Sequence, residues 1–157
     1  MTSFQRCKQL ILALSLAGLA FHASAQTQVN DAWVRATVAG QQSTGAFMTL
    51  QASEDSKLLS VQSPIAKDVQ IHESSMKNDV MSMRQVESIA LPAGKTVSLD
   101  PHGYHVMLLE LNDQVKDGAS VPLTLTVENA RGEKEVIEVQ APVKALNGMP
   151  MDHSKMH

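Results

Sequence analysis

The sequence is nearly without cysteine: Cys7 is the only one among 157 residues, and it falls in a short apolar N-terminal stretch that reads as an export signal. The remainder of the chain can therefore form no disulfide and offer no thiolate, so any metal chemistry must use His, Met, Asp or Glu. Aromatic residues make up only 3% of the chain, as Trp33, Tyr104, Phe4, Phe21 and Phe47. No long hydrophobic run is present either. Leu10 to Ala20 spans eleven residues, whereas a bilayer crossing needs roughly 20, so a retained membrane anchor is not expected. A basic patch is also missing, which argues against a nucleic-acid partner.

The N-terminal stretch has the parts of a secretory signal: basic Arg6 and Lys8, the apolar run, and Ala23-Ser24-Ala25 as a small-x-small cleavage site. Cys7 precedes the apolar run instead of following the cleavage site, so it is not placed for lipid modification. The expected division is a signal peptide over 1–25, one domain over 26–144 and a tail over 145–157. Cleavage would leave 132 of 157 residues, enough for one domain that folds alone. It would also remove two of the 13 basic residues, leaving 11 against 16 acidic ones, a net charge of −5 with neutral histidines.

The segments between turn signals are short and rich in Val, Ile, Leu and Thr, with little helical periodicity, which predicts an all-β domain. The predicted strands are Ala32–Val38, Ala46–Gln51, Lys57–Ser63, Val69–Ser74, Met81–Val86, Thr96–Leu99, Tyr104–Leu111, Val121–Glu128 and Glu135–Gln140. Val121, Leu123, Leu125 and Val127 alternate with Pro122, Thr124, Thr126 and Glu128, as a strand with one face on a core should. Tyr104 to Leu109 is almost continuously apolar, the pattern of a strand inside a sheet. From Ala141 the pattern fades.

Methionine is the abundant residue, with eight of nine after the signal. Methionine is a flexible core filler, so number alone implies nothing. Position is more informative. His72, Met83, His105 and Met107 supply two imidazoles and two thioethers, a neutral donor set that prefers monovalent copper to zinc, calcium or magnesium. His105 and Met107 are two apart on one predicted strand and so share a face. His72 and Met83 lie on the strands flanking a reversal around Met76–Val80, and pairing of those strands would bring their faces together. Spacing alone does not establish that closure. A lone strand histidine is more often hydrogen-bonded than ligating, and a lone methionine more often core. Met76, Met81 and His102 stand near enough to be further donors, and Met76 reads equally well as an exposed turn residue.

The chain closes on a second group of soft and borderline donors, Met149, Met151, His153, Met156 and His157. This tail has no apolar periodicity to bury and is expected to be flexible. It is a candidate second copper site, with Cu(II) on the histidines.

His72, ten intervening residues, Met83, twenty-one more, then His105-Val106-Met107 resembles the His-x10-Met-x21-His-x-Met signature of the PCu(A)C family of periplasmic copper chaperones. The likeness extends to Asp31-Ala32-Trp33-Val34-Arg35, Thr44-Gly45-Ala46-Phe47-Met48-Thr49-Leu50, Val69-Gln70-Ile71-His72-Glu73, Leu91-Pro92-Ala93-Gly94 and Pro101 to Leu109, covering roughly Val29 to Val139. Two departures are His102, where the family looks more often like Gly, and Gln51-Ala52, where an Asn commonly follows. Resemblance implies a cupredoxin-like Greek-key β-sandwich, a Cu(I) site on His72, Met83, His105 and Met107 at an exposed end, and a periplasmic location. It further implies delivery of copper to assembly proteins or to the copper-bearing subunit of cytochrome c oxidase. The tail is similar to extensions that hold a second copper in some members. The protein is expected to be a monomer.

Other functions fit less well. A blue-copper electron carrier needs a Cys thiolate. An enzyme needs a nucleophile, an acid/base pair or an open catalytic metal, and no such motif is evident. Copper storage or tolerance without a dedicated client uses the same ligands and is the competing reading. A sandwich that binds no metal leaves the spacing of the four residues unexplained.

Overall fold

The computed structural model describes residues 26–145, and they contain ten strands and no helix. In chain order these are β1 (Thr27–Arg35), β2 (Thr44–Ala52), β3 (Ser56–Gln62), β4 (Ala66–Lys77), β5 (Val80–Val86), β6 (Ile89–Leu91), β7 (Thr96–Leu99), β8 (Tyr104–Leu111), β9 (Ser120–Asn129) and β10 (Lys134–Lys144). One layer runs β5-β4-β8-β7-β2-β1 and the other β10-β9-β3-β6. The chain passes between the layers at β2–β3, β3–β4, β5–β6, β6–β7 and β8–β9, so sequence neighbours are separated in space in Greek-key fashion.

The layers join where β10 changes partner. Its body pairs antiparallel with β9, from Lys134↔Glu128 to Pro142↔Ser120, and its last residues run parallel to β1 through Val34↔Val143 and Arg35↔Lys144. Ala141 and Val143 are buried there. The fading pattern at Ala141 is thus corrected: the strand continues to Lys144, with Pro142 interrupting its apolar look.

The core lies between the layers. Val121, Leu123, Leu125 and Val127 are all at most 3% exposed, with half-buried residues between them. They meet Ile71, Val106 and Leu108 of the opposite layer in one cluster. Met48, 2% exposed, belongs to that cluster as an ordinary core filler. β8 lies between β4 and β2, which accounts for its continuous apolar run.

Other strand boundaries also differ from the sequence reading. β1 starts at Thr27 and ends at Arg35: Thr27–Asn30, polar except for Val29, pairs with β2 ahead of a bulge at which Asp31 has a φ of 53°. β6 is three residues long, too short for a periodic signal. β4 and β5 extend to Lys77 and Val80, with only Asn78 and Asp79 between them at φ values of 53° and 62°. Positive φ at both central positions gives the tight turn whose twist matches a β-hairpin, and Asn and Asp tolerate it better than most residues. Met76 is accordingly a strand residue and not a turn residue.

Candidate metal centre

The register of three neighbouring strands settles which side chains share a face. His72 on β4 stands directly opposite His105 on β8, and Gln70 opposite Met107. On the other side of β4, His72 pairs with Gln85 and Ser74 with Met83 on β5. Directly opposed residues in an antiparallel pair point to the same side, as do residues two apart. His72, Met83, His105 and Met107 therefore all project from one face, the face away from the Ile71–Val106–Leu108 core. The pairing of β4 with β8 brings together residues 33 positions apart, and spacing within β8 could not have shown it.

The two imidazoles are held differently. Their ring centroids are 6.0 Å apart at 53°. His105 is 4% exposed, and its Nδ1 donates to the Gly103 carbonyl at 3.2 Å, which leaves Nε2 as the free lone pair. For His72 the roles reverse. The Gln70 amide nitrogen donates to Asp68 at 2.6 Å, so the Gln70 oxygen faces His72 and accepts from its Nε2 at 2.9 Å. That assignment leaves Nδ1 of His72 with the lone pair, and this atom is buried with no hydrogen-bond partner. Burial holds the His72 pKa below its ordinary 6.5, and repulsion from the His105 ring adds to the effect. Each ring thus uses one nitrogen in a hydrogen bond and leaves the other, His72 Nδ1 and His105 Nε2, available as a metal ligand.

A cleft of about 260 Å³ opens beside this face, lined by Met83, His105 and Met107 and also by Met81, Ser74, Gly45, Phe47 and Arg35. His72 does not line the cleft; it adjoins it through His105. Met83 is 54% exposed and Met107 half-buried, so the group is partly open to solvent. His102 is exposed in the turn before β8, where its backbone N–H donates to Asp100, and it does not border the cleft.

Sequence reasoning missed the parts that brace this cleft. Gly45 is paired with Met107, and Phe47 lies over it: a Cβ at Gly45 would stand 2.8 Å from the Phe47 ring. Trp33 packs on Phe47 at 4.7 Å, and the Arg35 guanidinium lies 5.6 Å from the Phe47 ring centre. Asp68 and Gln70 could have been found, since they precede His72 at alternate positions of one strand and so share its face.

No carboxylate lines the cleft, and Arg35 places a positive charge at its edge. Among the described residues no group of three or more His, Cys, Asp or Glu side chains is arranged to hold a metal ion. A divalent cation desolvated here would lack anionic ligands, whereas a soft monovalent ion loses less hydration and accepts thioether sulfur. Met149, Met151, His153, Met156 and His157 lie outside the described residues, as does the expected signal peptide over 1–25.

A β-sandwich with two imidazoles and two thioethers on one sheet face has the form of a soft-metal binding module. The chain belongs to the family described as putative lipoprotein LpqE-like, whose model matches residues 27–143. It is 33% identical over 150 residues to the putative lipoprotein Lxx21020 of Leifsonia xyli subsp. xyli (strain CTCB07), covering 87% of each chain. Among solved structures it is similar to Cu(I)-bound DR1885 from Deinococcus radiodurans, with a TM-score of 0.60 and 28% identity over 82% of this chain and 85% of that one. The apo form of DR1885 gives a TM-score of 0.58 and 27% identity over 92% and 94% of the two chains. The copper-bound PCuAC domain from PmoF2, at 22% identity and a TM-score of 0.61 over 79% of this chain and 97% of that one, shares the fold. The resemblance to PCu(A)C proteins read from the sequence accords with these likenesses, and the all-β sandwich is the fold they share.

Proposed function

We propose that this protein is a copper carrier that binds one Cu(I) through His72 Nδ1, His105 Nε2 and the sulfurs of Met83 and Met107, and passes it to another protein outside the cytoplasm. The observation that carries this reading is the unpaired, buried Nδ1 of His72 on the same sheet face as the other three donors. An unpartnered buried nitrogen is costly unless a ligand completes it. The likeness to Cu(I)-bound DR1885 supports copper as that ligand. The lipoprotein names of the family and of the Leifsonia relative support an envelope location.

Carrier is favoured over storage by exposure. Met83 is 54% exposed, so an incoming acceptor can replace one thioether without unfolding the site. No proton-transfer step or nucleophile is needed for such an exchange, and the protein acts without catalysis. The acceptor we propose is the assembly pathway of the dinuclear copper centre of cytochrome c oxidase. Mixing the Cu(I)-loaded protein with an apo oxidase-assembly acceptor should move copper to the acceptor and leave it in place with an unrelated apo metalloprotein. Retention against both would favour storage, and failure to load at all would remove the copper reading.

A further inference from the structure

The β4–β5 hairpin carries two methionines for which the four-residue centre has no use. Beyond Ser74, whose amide donates to Gly103 at 3.0 Å, β4 keeps only β5 as a neighbour, so the hairpin end is a two-stranded ribbon leaving the sheet. Met76 and Met81 are direct cross-strand partners on it, and Met83 stands two residues from Met81 on the same face. The opposite face is polar apart from Val80, which stands opposite Lys77 at the tip: the Ser75 and Ser82 hydroxyls lie 3.0 Å apart, and Arg84 pairs with Glu73 at 2.7 Å. The ribbon is therefore two-faced, with thioethers gathered on the side of the metal centre.

Packing does not explain those thioethers, because Met76, Met81 and Met83 are 66%, 55% and 54% exposed. A ribbon in need of stability would gain more from β-branched or aromatic cross-strand pairs than from two flexible unbranched chains. Opposed Cβ atoms lie about 4.5–5.5 Å apart, from which two thioether arms can close on one ion. Cu(I) tolerates such low coordination. Met81 and Met83 also border the cleft together with His105 and Met107, so sulfur atoms mark a route from the ribbon to the centre.

We propose that Met76 and Met81 form a second, weaker site for a monovalent soft cation, from which the ion reaches the centre by way of Met83. This rests on the reading of the centre given above. Because Met83 serves both groups, an ion on the ribbon is one ligand exchange away from His105 and Met107. The ribbon site takes Cu(I), and Ag(I) is its redox-inert stand-in.

The test uses the full chain with ¹³C-methyl-labelled methionine, titrated with Ag(I) and followed by NMR. The Met83 and Met107 methyl signals should shift during the first equivalent, and those of Met76 and Met81 should shift together on further addition, while buried Met48 stays still. A Met76→Leu/Met81→Leu variant should keep the wild-type Cu(I) affinity of the centre but take copper from a Cu(I) chelator several-fold more slowly. If the Met76 and Met81 signals stay as still as Met48 while Met83 and Met107 move, the ribbon site is wrong and the centre stands. If all four stay still, the centre is wrong as well. Uptake by the double variant at the wild-type rate would overturn the handover through Met83.

Discussion

At the scale of single residues, the centre separates what binds from what folds. Met83 is largely exposed and Met107 half-buried, so replacing each thioether with the similar volume of leucine disturbs packing little. Met83→Leu and Met107→Leu together should weaken Cu(I) binding strongly, while each costs under about 1.5 kcal/mol of stability. A chelator competition and a urea melt on the same variant check both halves. Unchanged affinity would remove the thioethers from the ligand set. His72 adds a pH signature. Its folded pKa is lowered, chiefly by burial and then by repulsion from His105, so between 6.5 and the lowered value the unfolded chain holds more protons than the folded one. The stability owed to neutral His72 is complete above about 6.5 and falls as pH drops toward the folded value. The stability difference between the apo protein and His72→Gln should therefore shrink on acidification below neutral pH. A difference that grows instead would contradict the shift. The lowered pKa also means that protons compete less for this ligand, so the contribution of His72 to copper binding should persist below 6.5 before failing.

Strands and their pairings decide how the residues meet, and here the sequence was legible in uneven measure. The shared face of His105 and Met107 follows from a period of two, and the alternation of Val121 to Val127 marks the core face of β9. The β4–β8 pairing that brings His72 to His105 is a long-range choice, which no local pattern encodes. Met76 was open to being read as a turn residue because Lys77-Asn78-Asp79 suggests a wider loop, whereas two positive φ values close the reversal in two residues. β1 was hidden by the polar residues of its first half. The brace under the cleft was hidden for another reason: Gly45 falls just outside the predicted strand Ala46–Gln51, yet it lies within β2, where the Phe47 ring occupies the space a side chain would need. Phe47 is 4% exposed and held by Trp33, so the ring cannot easily swing aside. Gly45→Ala should cost about 1–3 kcal/mol through overpacking. In a urea melt the midpoint should fall with the slope unchanged; a wild-type midpoint would show that the ring has room to move.

At the scale of the whole molecule, the sandwich and the chain beyond it pose different problems for a metal. In the sandwich, β-pairing fixes four donors on one face before any ion arrives, with His72 braced by Gln70 and Asp68. The residues after 145 contain Met149, Met151, His153, Met156 and His157 and no apolar pattern that would pack on a core. We propose that this segment holds a second copper, Cu(II) on His153 and His157. Ordering a chain segment around an ion costs conformational entropy, so this copper should be held less tightly than the one in the sandwich. Imidazole suits Cu(II), whereas thioethers such as those on the β4–β5 ribbon favour Cu(I), so the oxidation state tells the two sites apart. A chain ending at Lys144 keeps all of β10, including Val143 at its contact with β1, and should fold as the full protein does. With the centre first filled by Cu(I), adding Cu(II) to the full chain should give an electron paramagnetic resonance signal with nitrogen hyperfine structure. The truncated chain should give none, with Cu(I) still bound in the sandwich. If the truncated chain shows the same nitrogen-ligated signal, the second copper sits on the sandwich and the terminal histidines have no part in holding it.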